Sequence, residues 1–399
     1  MSSLRAGEVA ASRSRSLRLG VNAIGSWTAT TGLAEAGRRS LTSLLEAGVD
    51  VALVDTDVEA PLDPRRLPAR LAALPTHRRY AIDLCMVNVN ELHLLSDELL
   101  RPAGRDNYVI GCWYWELASL PPAIAEQVGR VDEIWVASSF VADAMRGCTS
   151  VPIVKVPAVV QPVADTTVTR AQLGIPEDVF AFCFSFDGHS TVARKNPFGL
   201  IEAYRMAFDR RARARDVALV IKSQNLRHLS EADAMLRAEL GAVGGILIDG
   251  ELSAPTMSAL LGLCDAYVSL HRAEGFGLGL AEAMYLGKPV IATGYSGNTE
   301  FMTPLNSFPV PYQLEPVRLG DSRFNPWMER VYTPESTWAS PDLGAAARWM
   351  RRIYEHLELG TRAGRRAATS IRAGHSSAIA GAAMRARLEL LHGASDLGS

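Results

Sequence analysis

The chain has 399 residues, 48% of them hydrophobic and 21% charged, and its formal net charge is −2. That composition excludes a disordered chain, and so even a charge balance leaves no overall field to draw it onto nucleic acid or anionic lipid. One hydrophobic core rarely grows past roughly 250–300 residues, so two domains are expected.

Five cysteines, Cys85, Cys112, Cys148, Cys183 and Cys264, are scattered without close pairs. This fits buried thiols in a reducing cytosol better than disulfides or a zinc site. No apolar run approaches the roughly 20 residues of a transmembrane helix. The N-terminal stretch MSSLRAGEVAASRSRSLRLG lacks the apolar stretch of a secretory signal and reads as a frayed tail.

In chain order, short apolar runs alternate with helical stretches. Residues 18–25 read as a buried strand, 33–48 as a helix and 49–56 as a second strand. Strand candidates follow at 81–89, 107–115, 133–139 and 151–160. The alternation restarts with the strand AFCFSFDG (181–188) and the helix NPFGLIEAYRMAF (196–208), with Pro197 in its first turn. Four more strands are predicted at 217–223, 244–250, 265–270 and 288–294, then a helix over 348–374 and an amphipathic helix over 376–393. This is the pattern of parallel sheets wrapped by helices, an α/β fold. We read one Rossmann-like domain at 1–165, a second at 166–374, and a terminal helix at 375–399 that packs back on the first. Two-domain proteins of this kind bind ligands at the loops that follow the carboxyl ends of the strands.

One such loop stands out. Residues 271–282 read HRAEGFGLGLAE, with Glu274, then Gly275, Gly277 and Gly279, then Glu282. Glycines let the backbone approach a ligand closely, and amides at a helix N-terminus suit a diphosphate. Two carboxylates would repel the diphosphate itself, so they are expected to read hydroxyl groups of a sugar and a ribose.

The run from Glu274 through Phe276, Leu278 and Glu282, continuing into GKPVIAT (287–293), Gly297 and Glu300, resembles the retaining glycosyltransferases of the GT-B fold, specifically glycosyltransferase family 4. The resemblance implies two doubly wound parallel-sheet domains facing a central cleft. It also implies that Glu274 binds donor-sugar hydroxyls, that the amides of Gly275, Phe276, Gly277 and Leu278 bind sugar and diphosphate, and that Glu282 binds the ribose. Thr299 and Glu300 join the donor side.

FSFDGHSTVARKNP (184–197) places Arg194 and Lys195 ahead of a helix start, where two cations could neutralise charge on a departing nucleoside diphosphate. The family resembled places an arginine and a lysine on the diphosphate here, with the arginine several residues before the lysine. In this chain that earlier position falls near Asp187, and the cations are adjacent. In the first domain, GSWTATTG (25–32) resembles the family's glycine loop and nominates Thr31 and Gly32. In CWYWELASLP (112–121), Trp113, Tyr114 and Trp115 read either as a wall for a sugar ring or as an aromatic cluster of the core, with Glu116 on the acceptor side. The histidine that many family members carry in this domain has no clear counterpart; His93 reads as an ordinary histidine.

Three further signals are set aside. Asp55-Thr56-Asp57 matches an Asp-x-Asp metal triplet but lies away from the glycine loops, and no metal is expected. DRRARARD (209–216) reads as a solvated basic face, with anionic lipid as its alternative. His271, Arg272 and Asn298 flank the loop without an assigned role.

The expected function is metal-independent transfer of a hexosyl group, with retention, from a UDP- or GDP-linked sugar to a hydroxyl acceptor. The acceptor would be a glycan, a lipid-linked sugar or a small metabolite. The chain is expected to act in the cytoplasm, with peripheral contact to the inner face of the membrane, and to need no cofactor and no nucleic acid. A non-catalytic partner subunit of the same fold is one alternative. A dinucleotide-dependent oxidoreductase is another, although no Gly-x-Gly-x-x-Gly follows the first strand.

Overall fold

The computed structural model describes residues 19–56, 58, 62–319 and 331–396. Residues 1–18 of the expected N-terminal tail and Asp57 of the acidic triplet lie outside these residues. Twelve strands make two parallel six-stranded sheets. The first is built from β1 (Gly20–Gly25), β2 (Asp50–Asp55), β3 (Ile82–Cys85), β4 (Tyr108–Trp113), β5 (Glu133–Val136) and β6 (Ile153–Lys155), in the order β2-β1-β3-β4-β5-β6. The second is built from β7 (Phe180–Asp187), β8 (Val217–Gln224), β9 (Ile246–Asp249), β10 (Ala266–Ser269), β11 (Val290–Thr293) and β12 (Phe308–Val310), in the order β12-β11-β10-β7-β8-β9. A hairpin of β13 (Tyr312–Pro316) and β14 (Thr337–Pro341) pairs antiparallel.

β1, β10 and β11 are buried along their whole length, as strands covered on both faces must be. That is why they read as predominantly apolar runs, with Asn22 a buried polar exception in β1.

By packing, the chain forms two compact units. One holds the described residues up to Cys112 together with the segment from Ser377; the other is Trp113–Ser376. In the first, the helix Ser377–Asp396 lies on the helix Gly32–Glu46. Gly381 permits the approach, since a Cβ there would stand 2.5 Å from the Ser43 carbonyl oxygen. In the second, Phe182, Phe184, Tyr204, Leu219, Val268 and Ile291 belong to one continuous core.

The structure departs from the sequence reading at three places. The helix expected over 348–374 is two helices, Leu343–Glu355 and Leu357–Gly374, broken at His356. The first packs on the helix Pro197–Ala207 and the second on the helix Leu278–Tyr285, so one straight rod would not serve both. β12 was missed because Pro309 interrupts it, which an edge strand tolerates. The β13–β14 hairpin was missed because its strands are distant in sequence and β13 is largely exposed.

A pair of glycines tests this packing. A Cβ on Gly364 would sit 2.0 Å from the Gly287 carbonyl oxygen, whereas Gly262, also helical, has nothing within 4 Å. Gly364→Ala should cost about 1–3 kcal/mol by overpacking, and Gly262→Ala should gain about 0.5–1 kcal/mol from helix propensity. Urea denaturation of the two variants measures both signs.

Candidate functional site

The site grows from the carboxyl end of β10. Beyond Ser269 the chain turns through His271–Gly277 and enters the helix Leu278–Tyr285. Gly277 caps that helix at φ +90°, a conformation that L side chains rarely adopt. The loop is tied to the segment after β11. Ser296 Oγ accepts the Glu274 amide at 2.8 Å, and the Gly297 amide donates to the Glu274 carbonyl at 2.8 Å. A Cβ on Gly297 would lie 2.0 Å from the Gly275 carbonyl oxygen, so only glycine lets the two segments meet.

Beneath the loop, His271 is fully buried. Its Nε2 lies 3.0 Å from Asn298 Oδ1 and its Nδ1 3.1 Å from Ser269 Oγ. The amide oxygen can only accept, so Nε2 carries the proton and Nδ1 accepts from the serine. Burial pushes the His271 pKa down and favours this neutral form.

Arg194 and Lys195 end a four-residue helix, Val192–Lys195, between β7 and the helix Pro197–Ala207. Thr191 (φ 61°) and Asn196 (φ 55°) bracket that helix in left-handed conformations. The Asn196 side chain caps the following helix at the Gly199 amide, 3.2 Å away, and donates to the Leu270 carbonyl at 2.8 Å, which fixes the turn to the end of β10.

The cations then meet the glutamate. Lys195 Nζ stands 2.5 Å from Glu274 Oε1, and Arg194 Nη1 stands 3.6 Å from Oε2. Arg194 Nη2 is also 3.4 Å from Glu116 Oε1. Burial alone would raise the Glu274 pKa. Lys195 and Arg194 outweigh it, with a smaller contribution from His271, and hold the carboxyl at about 2. The Lys195 pKa is pushed down by burial, assisted by Arg194, against the pull of Glu274.

The sequence-predicted residues therefore separate. Glu274, Lys195, Arg194 and Glu116 come together in one charged cluster. Gly275 lies against the Trp115 backbone, and Ser138 Oγ donates to its carbonyl at 2.8 Å. Phe276 turns inward, its ring 4.9 Å from Phe301 and 5.2 Å from His375. Leu278 and Glu282 lie on the helix behind Gly277, with Glu282 almost wholly buried. Thr299 is exposed and donates to the Ser296 carbonyl, while Glu300 accepts the Ser139 amide at 2.8 Å and pairs with Lys155 at 2.5 Å. Trp113 and Trp115 are each 1% exposed, so neither indole presents a face to a sugar; Tyr114 between them is half-buried. In the other unit, Thr31 caps the helix Gly32–Glu46 by accepting the Ala34 amide, and Gly32 is its first residue. Asp55 accepts the amides of Trp27 and Thr56.

Sequence reasoning left Asn298 without a role and passed over Ser296, Ser138 and Tyr332. GYSGNTE (294–300), directly after a buried strand, was the one local signal that pointed to the first two. Arg272, also left unassigned, turns to the hairpin, pairing with Glu315 and lying over the Trp338 ring at 5.4 Å.

The depressed Glu274 pKa fixes a pH dependence. A carboxyl held below its unfolded value stabilises the fold above that value, near 4.5, and the contribution fades as pH falls towards 2. The stability difference between the parent and Glu274→Gln should therefore be largest above pH 5 and shrink on acidification. Chemical denaturation across pH 3–7 measures it, and a flat difference would mean that the ion pair does not hold Glu274 charged.

Residues 165–307 match the family described as glycosyl transferases group 1. No curated protein sequence matches the chain. Among solved structures, Anabaena Alr3699/HepE, in complex with UDP and glucose, superposes with a TM-score of 0.67 at 12% identity, over 93% of this chain and 99% of that one. The sucrose-phosphate synthase of Thermosynechococcus elongatus gives 0.65 at 16% identity, over 94% and 100%. A glycosyltransferase of Rickettsia africae gives 0.62 at 12% identity, over 94% and 98%. At these identities the likeness is one of fold, the GT-B arrangement of two parallel sheets. Residues 165–307 thus match the model of group 1 glycosyl transferases, and the chain shares the fold of these solved structures.

Proposed function

We propose that this chain transfers a hexosyl group from a nucleoside diphosphate sugar, UDP- or GDP-linked, to a hydroxyl acceptor, with retention of anomeric configuration and without a metal ion. The observation that carries the reading is the Lys195–Glu274 pair at 2.5 Å, set beside the left-handed Gly277 at the head of the helix Leu278–Tyr285. An ionised carboxylate is an acceptor only and suits sugar hydroxyls. The ammonium beside it suits a phosphate, and the helix N-terminus adds partial positive charge.

In the reaction, the bond from the anomeric carbon to the phosphate oxygen breaks. The acceptor oxygen bonds to the same face of that carbon, and its proton passes to the departing phosphate oxygen. The protein contributes orientation and neutralisation of the leaving group, and Lys195 is the group placed for the second task. Glu282 is assigned to the ribose and the amides following Glu274 to the diphosphate. HepE, whose structure holds UDP and glucose, supports a UDP-hexose as the first donor to test. The acceptor is a glycan, a lipid-linked sugar or a small metabolite. We place the enzyme in the cytoplasm, in peripheral contact with the membrane; no described helix is long and apolar enough to cross one.

Incubation with UDP-glucose or a GDP-hexose and a panel of hydroxyl acceptors, followed by NMR of the product, tests the proposal. An α-linked donor should give an α-linked product, with the same rate in EDTA. Lys195→Ala should lower kcat by about 10²–10³-fold, the range for loss of one transition-state donor. A β-linked product, a rate abolished by EDTA, or full activity without Lys195 would each refute the corresponding part.

A further inference from the structure

We infer that Arg194 is a positioning residue: from within the protein it fixes Glu274 and its loop for the donor sugar, and it does not touch the diphosphate. The inference rests on the functional reading above and deepens it. An arginine next to the phosphate-facing lysine would ordinarily be assigned to the phosphate as well. The geometry assigns it elsewhere.

The Arg194 side chain is 3% exposed. Its Nε donates to the Ser190 carbonyl at 3.1 Å, and its Nη1 donates to the Ala273 carbonyl at 2.8 Å. Nη1 and Nη2 also face Glu274 and Glu116, and the guanidinium bonds the Tyr332 hydroxyl. The Arg194 backbone carbonyl accepts the Arg272 amide at 2.8 Å. The planar fork of donors is therefore engaged on all three nitrogens, and both ends of the residue grip residues 272–274. Adjacent helical positions point about 100° apart. One turn can thus send Arg194 inward while Lys195, 16% exposed, takes the more open side of Glu274.

The division of labour matters once a donor arrives. A diphosphate draws Lys195 away from Glu274, and a buried carboxylate that loses its only counter-charge takes up a proton and becomes a donor rather than an acceptor. Arg194 remains and keeps Glu274 ionised and in place. The groups facing Glu274 are Lys195, Arg194 and His271, with Tyr267, Tyr332 and, across Arg194, Glu116 next to them. Of these, Arg194 is the cation engaged on all three side-chain nitrogens, two of them reaching backbone carbonyls.

The test separates free nucleotide from sugar transfer, because UDP and GDP lack the sugar that Glu274 is assigned to hold. By calorimetry, Arg194→Gln should bind UDP or GDP within about threefold of the parent, while Lys195→Ala should lose at least about tenfold. With a UDP-hexose, Arg194→Gln should lower kcat by at least about tenfold and move the acid limb of its pH profile to higher pH; Arg194→Lys should recover part of both. Tyr332→Phe, which removes one hydroxyl from the guanidinium, should shift kcat in the same direction by less, again with parent-like nucleotide affinity, and it decides the case should Arg194→Gln not fold. A loss of nucleotide affinity in Arg194→Gln that equals the loss in Lys195→Ala would overturn the inference, as would an unmoved acid limb. A ligand-free arm stands apart from the functional reading. The melting-temperature losses of Arg194→Gln and Glu274→Gln should be less than additive in the double variant, and strict additivity would refute the coupling. If the parent binds neither UDP nor GDP, the functional reading fails, and this arm alone still decides whether Arg194 holds Glu274.

Discussion

A carboxylate removed from water must find a cation or take up a proton, and in this protein Glu274 has found two. Its side chain is 13% exposed, with Lys195 at 2.5 Å and Arg194 at 3.6 Å. Buried pairs of this kind add little net stability, since desolvation cancels much of the attraction. What they give is definition: a charged oxygen acceptor held at one place, next to an ammonium that can be drawn to a phosphate. The neighbouring structure is arranged so that this pair forms.

The arrangement uses backbone conformations that ordinary residues avoid. Thr191, Asn196, Asn225 and Ser296 are the non-glycine residues at positive φ among those described. All four follow the carboxyl ends of β7, β8 or β11, and Ser296 and Asn196 each hold the end of β10 or its loop by a side-chain hydrogen bond. Thr191 is β-branched, buried, and leaves its hydroxyl without a hydrogen-bond partner. Conformations of this sort cost of order 1–3 kcal/mol each and persist where surrounding structure fixes them. Here they turn the chain so that Lys195 reaches Glu274, and the core under the second sheet supplies the stability that tolerates the strain.

How far the sequence could be read follows from what each residue depends on. The strands β1, β7, β8, β10 and β11 were legible because a strand covered on both faces is written as a predominantly apolar run. β12 was not, since Pro309 breaks its pattern, and the helix break at His356 was not, since it is set by where each half packs. At the site, Glu274, Lys195 and the left-handed Gly277 were legible from spacing and from the strand-loop-helix context. Side-chain direction was not. Trp113 and Trp115 read as a sugar wall or as core, and burial decides for core. Arg194 read as a cation beside Lys195, and its burial against Glu274 and Glu116 was not legible. Tyr332, which completes the cluster, approaches from a sequence distance that no local pattern encodes.

The most direct test of the account is a thermal-shift measurement on the parent protein with UDP-, GDP- and dTDP-sugars and with NAD, each with and without EDTA. A ligand at a hundred times its dissociation constant adds about 2.7 kcal/mol, enough to move the melting temperature by several degrees. The account predicts a shift from one nucleoside diphosphate sugar that survives EDTA and no shift from NAD. A shift from NAD alone, or one that EDTA abolishes, would contradict it.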